Sequence, residues 1–165
     1  MLLRLVDTRD AGAGFPDLLG PEPRADRLAE FGLREPRPGE LARLRTLRDA
    51  LLPIVLGSND VARRTMLLNS LLRDYTVTPQ LGADGTLAFV SGRSGRVADL
   101  AARVLPQTIE LLRSGDVSLI DTCQATDCAA PFLAAGRGRR YCSPRCSSRV
   151  RVRRFRSTAD SEGGQ

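Results

Sequence analysis

A mainly α fold with a small β-hairpin is what this 165-residue sequence predicts, a helical N-terminal domain followed by a compact cysteine-stapled module. Three observations carry that prediction. Apolar residues recur at three- and four-residue intervals in three stretches between positions 40 and 115, the periodicity of helices with one buried face. A pair of short β-branched and aromatic runs flanks Gly82-Ala83-Asp84-Gly85, the pattern of a hairpin. All four cysteines fall within 24 residues near the C-terminus, as Cys123-x4-Cys128-x13-Cys142-x3-Cys146.

Along the chain, the first 40 residues are punctuated by Gly12-Ala13-Gly14, Pro21, Pro23, Pro36 and Pro38 and read as loops. Within them Ala25 to Phe31 is expected to form one short helix, ended by Gly32. From Glu40, residues Leu41, Leu44, Leu47, Leu51 and Ile54 share a face, while Arg43, Arg45, Arg48 and Asp49 fall on the others. Pro53 is expected to kink or shorten this helix and Gly57 to stop it. Ser58 or Asn59 can cap a second helix, whose apolar set is Val61, Met66, Leu67, Leu68, Leu71 and Leu72. The hairpin follows, from Tyr75 to Leu81 and from Thr86 to Val90. A third helix begins near Ser94, carries Val97, Leu100, Ala101, Val104, Leu105, Ile109 and Leu112, and ends at Gly115, with Pro106 expected to bend or divide it. Such stripes are read as core in preference to a dimerisation or ligand surface. These elements make a domain over residues 1–117.

No apolar run approaches the roughly 18 residues that span a bilayer, and the start Met1-Leu2-Leu3-Arg4-Leu5-Val6-Asp7 is too short a stretch for a signal peptide. The expected location is therefore the cytoplasm. In a reducing compartment four clustered cysteines are metal ligands in preference to two disulfides. The chain has no histidine, so sulfur alone must bind the metal. Two short cysteine pairs about a dozen residues apart can place four thiolates around one structural Zn2+, at about 2.3 Å per sulfur.

Between the pairs, Ala130 to Tyr141 holds two short extended runs around a glycine turn and reads as a second hairpin. Ser143 can serve as N-cap and Pro144 as first helical residue, which puts Cys146 in the first turn of a helix. Knuckle, hairpin and a helix donating the last ligand make a treble-clef-like zinc finger, expected over 118–157. Zinc binding of about 10 to 16 kcal/mol would be its folding energy. Residues 158–165 are expected to be a disordered tail.

Every one of the 25 cations is arginine, as in proteins of GC-rich bacterial genomes. Their placement is informative. Residues 1–128 hold 16 arginines against 17 acids, whereas residues 129–165 hold 9 against 2. Unmixed local charge points to a polyanion, because neutralising phosphates releases condensed counterions. At about 100° per residue Arg145, Arg149, Arg153 and Arg156 form one stripe, with Arg151 and Arg154 on other faces. Arg137, Arg139 and Arg140 add three charges beside the helix. Guanidinium forks suit phosphate oxygens or guanine edges in a major groove, and the few scattered aromatics, Phe132, Tyr141 and Phe155, favour double-stranded DNA over single strands.

The module resembles the CGNR zinc finger family. The resemblance runs through Cys123-x4-Cys128, Phe132, Gly138-Arg139-Arg140-Tyr141-Cys142-Ser143 and Cys146-x2-Arg149, then Arg151, Arg153, Arg154, Phe155 and Arg156. Where that family carries Cys-Gly-Asn-Arg this chain has Cys146-Ser147-Ser148-Arg149, and Tyr141 stands where Trp is usual. In the family a helical ABATE domain precedes the finger, and Leu5-Val6-Asp7-Thr8 is similar to an early family motif. The resemblance implies a DNA-binding transcriptional regulator tied to stress. Its first domain would be the sensor or dimerisation unit, for which an unidentified small-molecule effector and a homodimer are the matching partners.

Catalysis is not expected. The chain lacks a nucleophile-base constellation, and four sulfurs leave zinc no open position for substrate. Two other functions compete with regulation: a zinc-thiolate redox switch, and an adaptor that binds protein or RNA.

Overall fold

The computed structural model describes residues 1–7, 19, 25–57, 60–128, 130–134 and 138–162, with residues 27 and 156–162 described by their backbone alone. It is mainly α with two small antiparallel sheets. The order is α1 (Leu2–Val6), α2 (Ala25–Glu30), α3 (Glu40–Val55), α4 (Val61–Tyr75), the hairpin β1 (Val77–Leu81) and β2 (Leu87–Ser91), and α5 (Arg96–Arg113). A 3-10 turn at Asp116–Leu119 leads into β3 (Ile120–Thr122), β4 (Pro131–Leu133) and α6 (Pro144–Glu162).

The main core forms where α3 and α5 bring their apolar stripes together. Leu44, Leu47, Leu51 and Ile54 from α3 meet Leu100, Val104 and Leu105 from α5, all fully buried. Burying each such side chain stabilises by about 1.5 to 3 kcal/mol, which is why periodicity alone locates these helices. Leu68 and Leu71 of α4 close one side. Leu2, Leu5 and Val6 of α1 close another, and the Leu2 amide donates to Gln107 Oε1 at 3.2 Å. Helix α1 was not expected from the sequence: five residues cannot display a helical period, and its stability comes from tertiary burial.

Several expectations are corrected. Val61 and Met66 are 72% and 62% exposed, not core. Met66 lies opposite Leu68 on the helical wheel, and Val61 stands in the first turn of α4. Asp60 caps that helix, its Oδ1 accepting from the Arg63 amide at 3.0 Å, while Ser58 and Asn59 lie outside the described residues. Arg48, placed on a polar face by the periodicity, is buried and ion-paired with Asp49 at 2.9 Å. Pro106 does not divide α5, which is continuous from Arg96 to Arg113. The missing proline N–H costs one helical bond, and burial of the neighbouring Ala102, Val104 and Leu105 offsets it.

The first hairpin pairs Val77 with Ser91 and Leu81 with Leu87. Its loop is closed by Asp84 Oδ1, which accepts from the Thr86 amide and hydroxyl at 3.1 and 2.7 Å, with Gly85 in the left-handed region at φ 77°.

A second, smaller core surrounds Cys123, Ala125, Phe132 and Cys146. Here the expected hairpin between the cysteine pairs is replaced by a different one. Strand β3, which precedes the first cysteine, pairs with β4, Ile120 opposite Leu133 and Thr122 opposite Pro131. The first knuckle is therefore the tip of a hairpin. Residues 138–141 are not a strand, although the Gln124 amide donates to the Arg140 carbonyl at 3.0 Å. Helix α6 begins at Pro144 as expected but runs on to Glu162, past the point where the sequence reading placed a disordered tail.

Candidate metal centre and basic helix

Two knuckles converge on one point. The first is the β3–β4 tip, tightened by the Cys128 amide donating to the Ala125 carbonyl at 2.9 Å and the Cys123 amide to Ala130 at 3.0 Å. The second is the opening turn of α6, where Ser143 Oγ accepts from the Cys146 amide at 3.3 Å, an N-cap bond. Together they bring the sulfurs of Cys123, Cys128, Cys142 and Cys146 within 4.8 Å of one another.

The donor set fits zinc. A tetrahedron with metal–sulfur bonds of about 2.3 Å has edges of about 3.8 Å. The Cys142 sulfur lies 3.7 Å from Cys128 and 3.6 Å from Cys146. Holding these sulfurs as thiolates calls for a cation at the centre. Burial pushes the Cys128 thiol up to about 12 and raises Cys142 as well, while the Ser143 hydroxyl draws Cys146 down. Four packed sulfurs take the thiolate form together only around a positive ion, and binding releases their protons. One structural zinc ion held by four cysteines follows.

The arginines divide into two groups. Arg149 Nε stands 2.6 Å from Asp127 Oδ2, and its Nη2 donates to the Cys146 sulfur at 3.5 Å. The Nε–H vector misses the carboxylate, leaving Nε and Asp127 Oδ1 buried without hydrogen-bond partners, so the contact is a close ion pair. Arg153 reaches the same carboxylate at 3.6 Å and donates to the Thr126 hydroxyl. Arg139 covers the Phe132 ring at 5.2 Å and donates to the Cys142 carbonyl at 2.8 Å; Arg140 donates to Gln124 Oε1 at 2.7 Å. These four bind the finger to itself.

Arg145, Arg151 and Arg154 are exposed on α6. Arg145 and Arg151 have no ion pair among the described residues. The stripe of Arg145, Arg149, Arg153 and Arg156 is thus not a single outward row: Arg149 and Arg153 lean on the first knuckle. Arg137 and the side chain of Arg156 lie outside the described residues.

Sequence reasoning missed Asp127 and Thr126, the anchors of the inward pair. A signal existed: Asp127 is the sole acid between Thr122 and Ala159, and it sits directly before a cysteine ligand.

Among the described residues no helix is long and apolar enough to cross a membrane. Two family models match the chain. Residues 1–115 match ABATE, described as "Putative stress-induced transcription regulator", and residues 120–159 match the CGNR zinc finger. No curated protein matches it.

Proposed function

Because the chain belongs to the ABATE family and carries a CGNR zinc finger at its C-terminal end, we propose that it is a zinc-dependent regulator of transcription in the bacterial cytoplasm that grips duplex DNA. Zinc is a scaffold here, holding α6 rigid against the hairpin, and the protein binds without catalysing a reaction.

The observation that carries this reading is the outer face of α6. Arg145, Arg151 and Arg154 are exposed there, and the sequence from Ala129 to Ala159 contains no acid. At about 100° per residue Val152 and Phe155 fall between Arg145 and Arg151. These two apolar side chains are 50% and 75% exposed. A rigid helix that alternates guanidinium and apolar groups suits a major groove, where arginine reads guanine and an apolar group meets the thymine methyl. The inward pair, Arg149 and Arg153, fixes the helix's angle against the knuckle.

A gel-shift titration of the zinc-loaded protein with duplex and single-stranded competitors tests the proposal. Duplex is expected to compete better. Equal competition by single strands would turn the assignment toward an RNA- or protein-binding adaptor.

A further inference from the structure

Away from the finger, a cleft of about 620 Å³ opens between the first half of α3, the last turn of α4 and the turn leading into α5. That is the size of a pocket for a small organic molecule, since such sites run from about 300 to 1,000 Å³. Its floor is apolar. Leu47, Leu71, Val97 and Ala98 line it and are buried.

The rim is cationic. Arg37, Arg43, Arg93 and Arg96 line it against two acids, Glu40 and Asp74. Arg96 is committed to Glu40, with Nε and Nη2 donating to the two carboxylate oxygens at 3.2 and 2.5 Å. Arg43 and Arg93 are different. Arg43 Nε reaches only the Gly39 carbonyl at 3.4 Å, and Arg93 Nη1 donates to the Asp74 backbone carbonyl at 2.9 Å. Neither has a carboxylate within ion-pairing distance among the described residues. Tyr75 lines the same cleft, and its phenol is raised by burial first; Arg93 opposes that rise, Asp74 adds to it and Arg43 opposes it.

An apolar floor beneath two guanidinium groups that form no ion pair among the described residues selects a two-part ligand. A small inorganic anion would leave Leu47 and Leu71 wet, and an uncharged hydrocarbon would strip water from the arginines and give nothing back. A dianion would meet the Asp74 carboxylate at the rim. A single carboxylate head satisfies the guanidinium forks with paired hydrogen bonds. We infer that this cleft binds a small organic carboxylate, its head on Arg43 and Arg93 and its apolar body on Leu47, Leu71 and Val97.

The site draws on the main core and not on the finger, so it can be tested whatever the outcome of the DNA experiment. The zinc-loaded full chain would be titrated with octanoate and with benzoate by calorimetry. Octanol and benzyl alcohol serve as bodies without charge, acetate as charge without body, and inorganic phosphate as the dianion. Saturable binding of at least one larger carboxylate is expected, at least about tenfold tighter than its alcohol, acetate or phosphate. Arg43→Ala and Arg93→Ala should each weaken it by about tenfold, the size of a lost charge-assisted hydrogen bond. Amide shifts in NMR should cluster on residues of the cleft. The inference is overturned if neither carboxylate binds at up to about 10 mM, if the alcohols or phosphate bind as well, or if the shifts fall elsewhere. Should either variant misfold by circular dichroism, the ligand comparison on the unaltered protein decides alone.

Discussion

Arg149 joins the two halves of the zinc module through one guanidinium, its Nε 2.6 Å from Asp127 Oδ2 on the first knuckle and its Nη2–H on the sulfur of Cys146 in the second. Groups that orient or hydrogen-bond metal ligands typically change metal affinity by about 10- to 100-fold when removed. Arg149→Ala and Asp127→Asn should therefore each weaken zinc binding by at least about tenfold. Competition against a chromogenic chelator measures this. Retention of wild-type affinity by both variants would mean that the ion pair does not support the site.

The outward arginines predict a different phenotype. Each phosphate neutralised contributes about −0.9 to the slope of log affinity against log salt. Arg145→Ala and Arg151→Ala should each flatten that slope by about 0.9 and leave zinc affinity unchanged, because both side chains are exposed and neither is ion-paired among the described residues. Gel shifts at several salt concentrations, with zinc competition run on the same preparations, separate the two classes of arginine.

Removing zinc should unfold one core and spare the other. The finger's core consists of Cys123, Ala125, Phe132 and Cys146 with half-buried neighbours, too small to persist without its metal. Helix α6 carries Arg149, Arg151, Arg153 and Arg154 within six positions, and their mutual repulsion opposes an isolated helix. Excess chelator is expected to remove the helical circular dichroism of the 19-residue α6. Amide protection at Leu44, Leu51, Leu100 and Val104 should remain. Loss of protection in both regions would show that the two cores fold as one unit.

What could be read from the sequence divides along physical lines. Periodic burial wrote Leu44, Leu47 and Leu51 into α3 and Leu100, Val104 and Leu105 into α5, and both helices are where the pattern put them. The Ser143-Pro144 start of α6 was legible because cap and first-turn chemistry is local. The four cysteines announced their cluster through spacing. Strand β3 was not legible, because three residues carry no alternation and its partner is fixed by the knuckle between them. Helix α1 was too short to show a period. The roles of Arg149 and Arg153 were hidden for a related reason. A helical wheel gives the angle of a side chain but not the carboxylate that waits across the gap, and Asp127 lies on another element.

The same kind of long-range pairing makes the acid stability of the N-terminal domain predictable. Glu40 opens α3 and is buried, 6% exposed, between Arg96 from α5 and the Arg37 amide, which donates to its Oε2 at 2.6 Å. Hydrogen bonding from the Arg96 side chain, and then from the Arg37 backbone, holds its carboxyl below the ordinary 4.5. In the unfolded chain Glu40 takes up a proton at its ordinary value; in the folded chain it does so only at lower pH. Its contribution to stability is therefore complete above about pH 5 to 6 and fades as pH falls through 4.5 toward the depressed folded value. Glu40→Gln should lower the melting temperature at pH 7 by on the order of 5 °C, since a charge-assisted bond between α3 and α5 is weakened. The gap between variant and wild type should narrow steadily as the pH is lowered from about 6 to 3. Thermal melts across that range read the gap directly. A gap that stays constant with pH would show that Glu40 stabilises through its shape or packing and not through its charge.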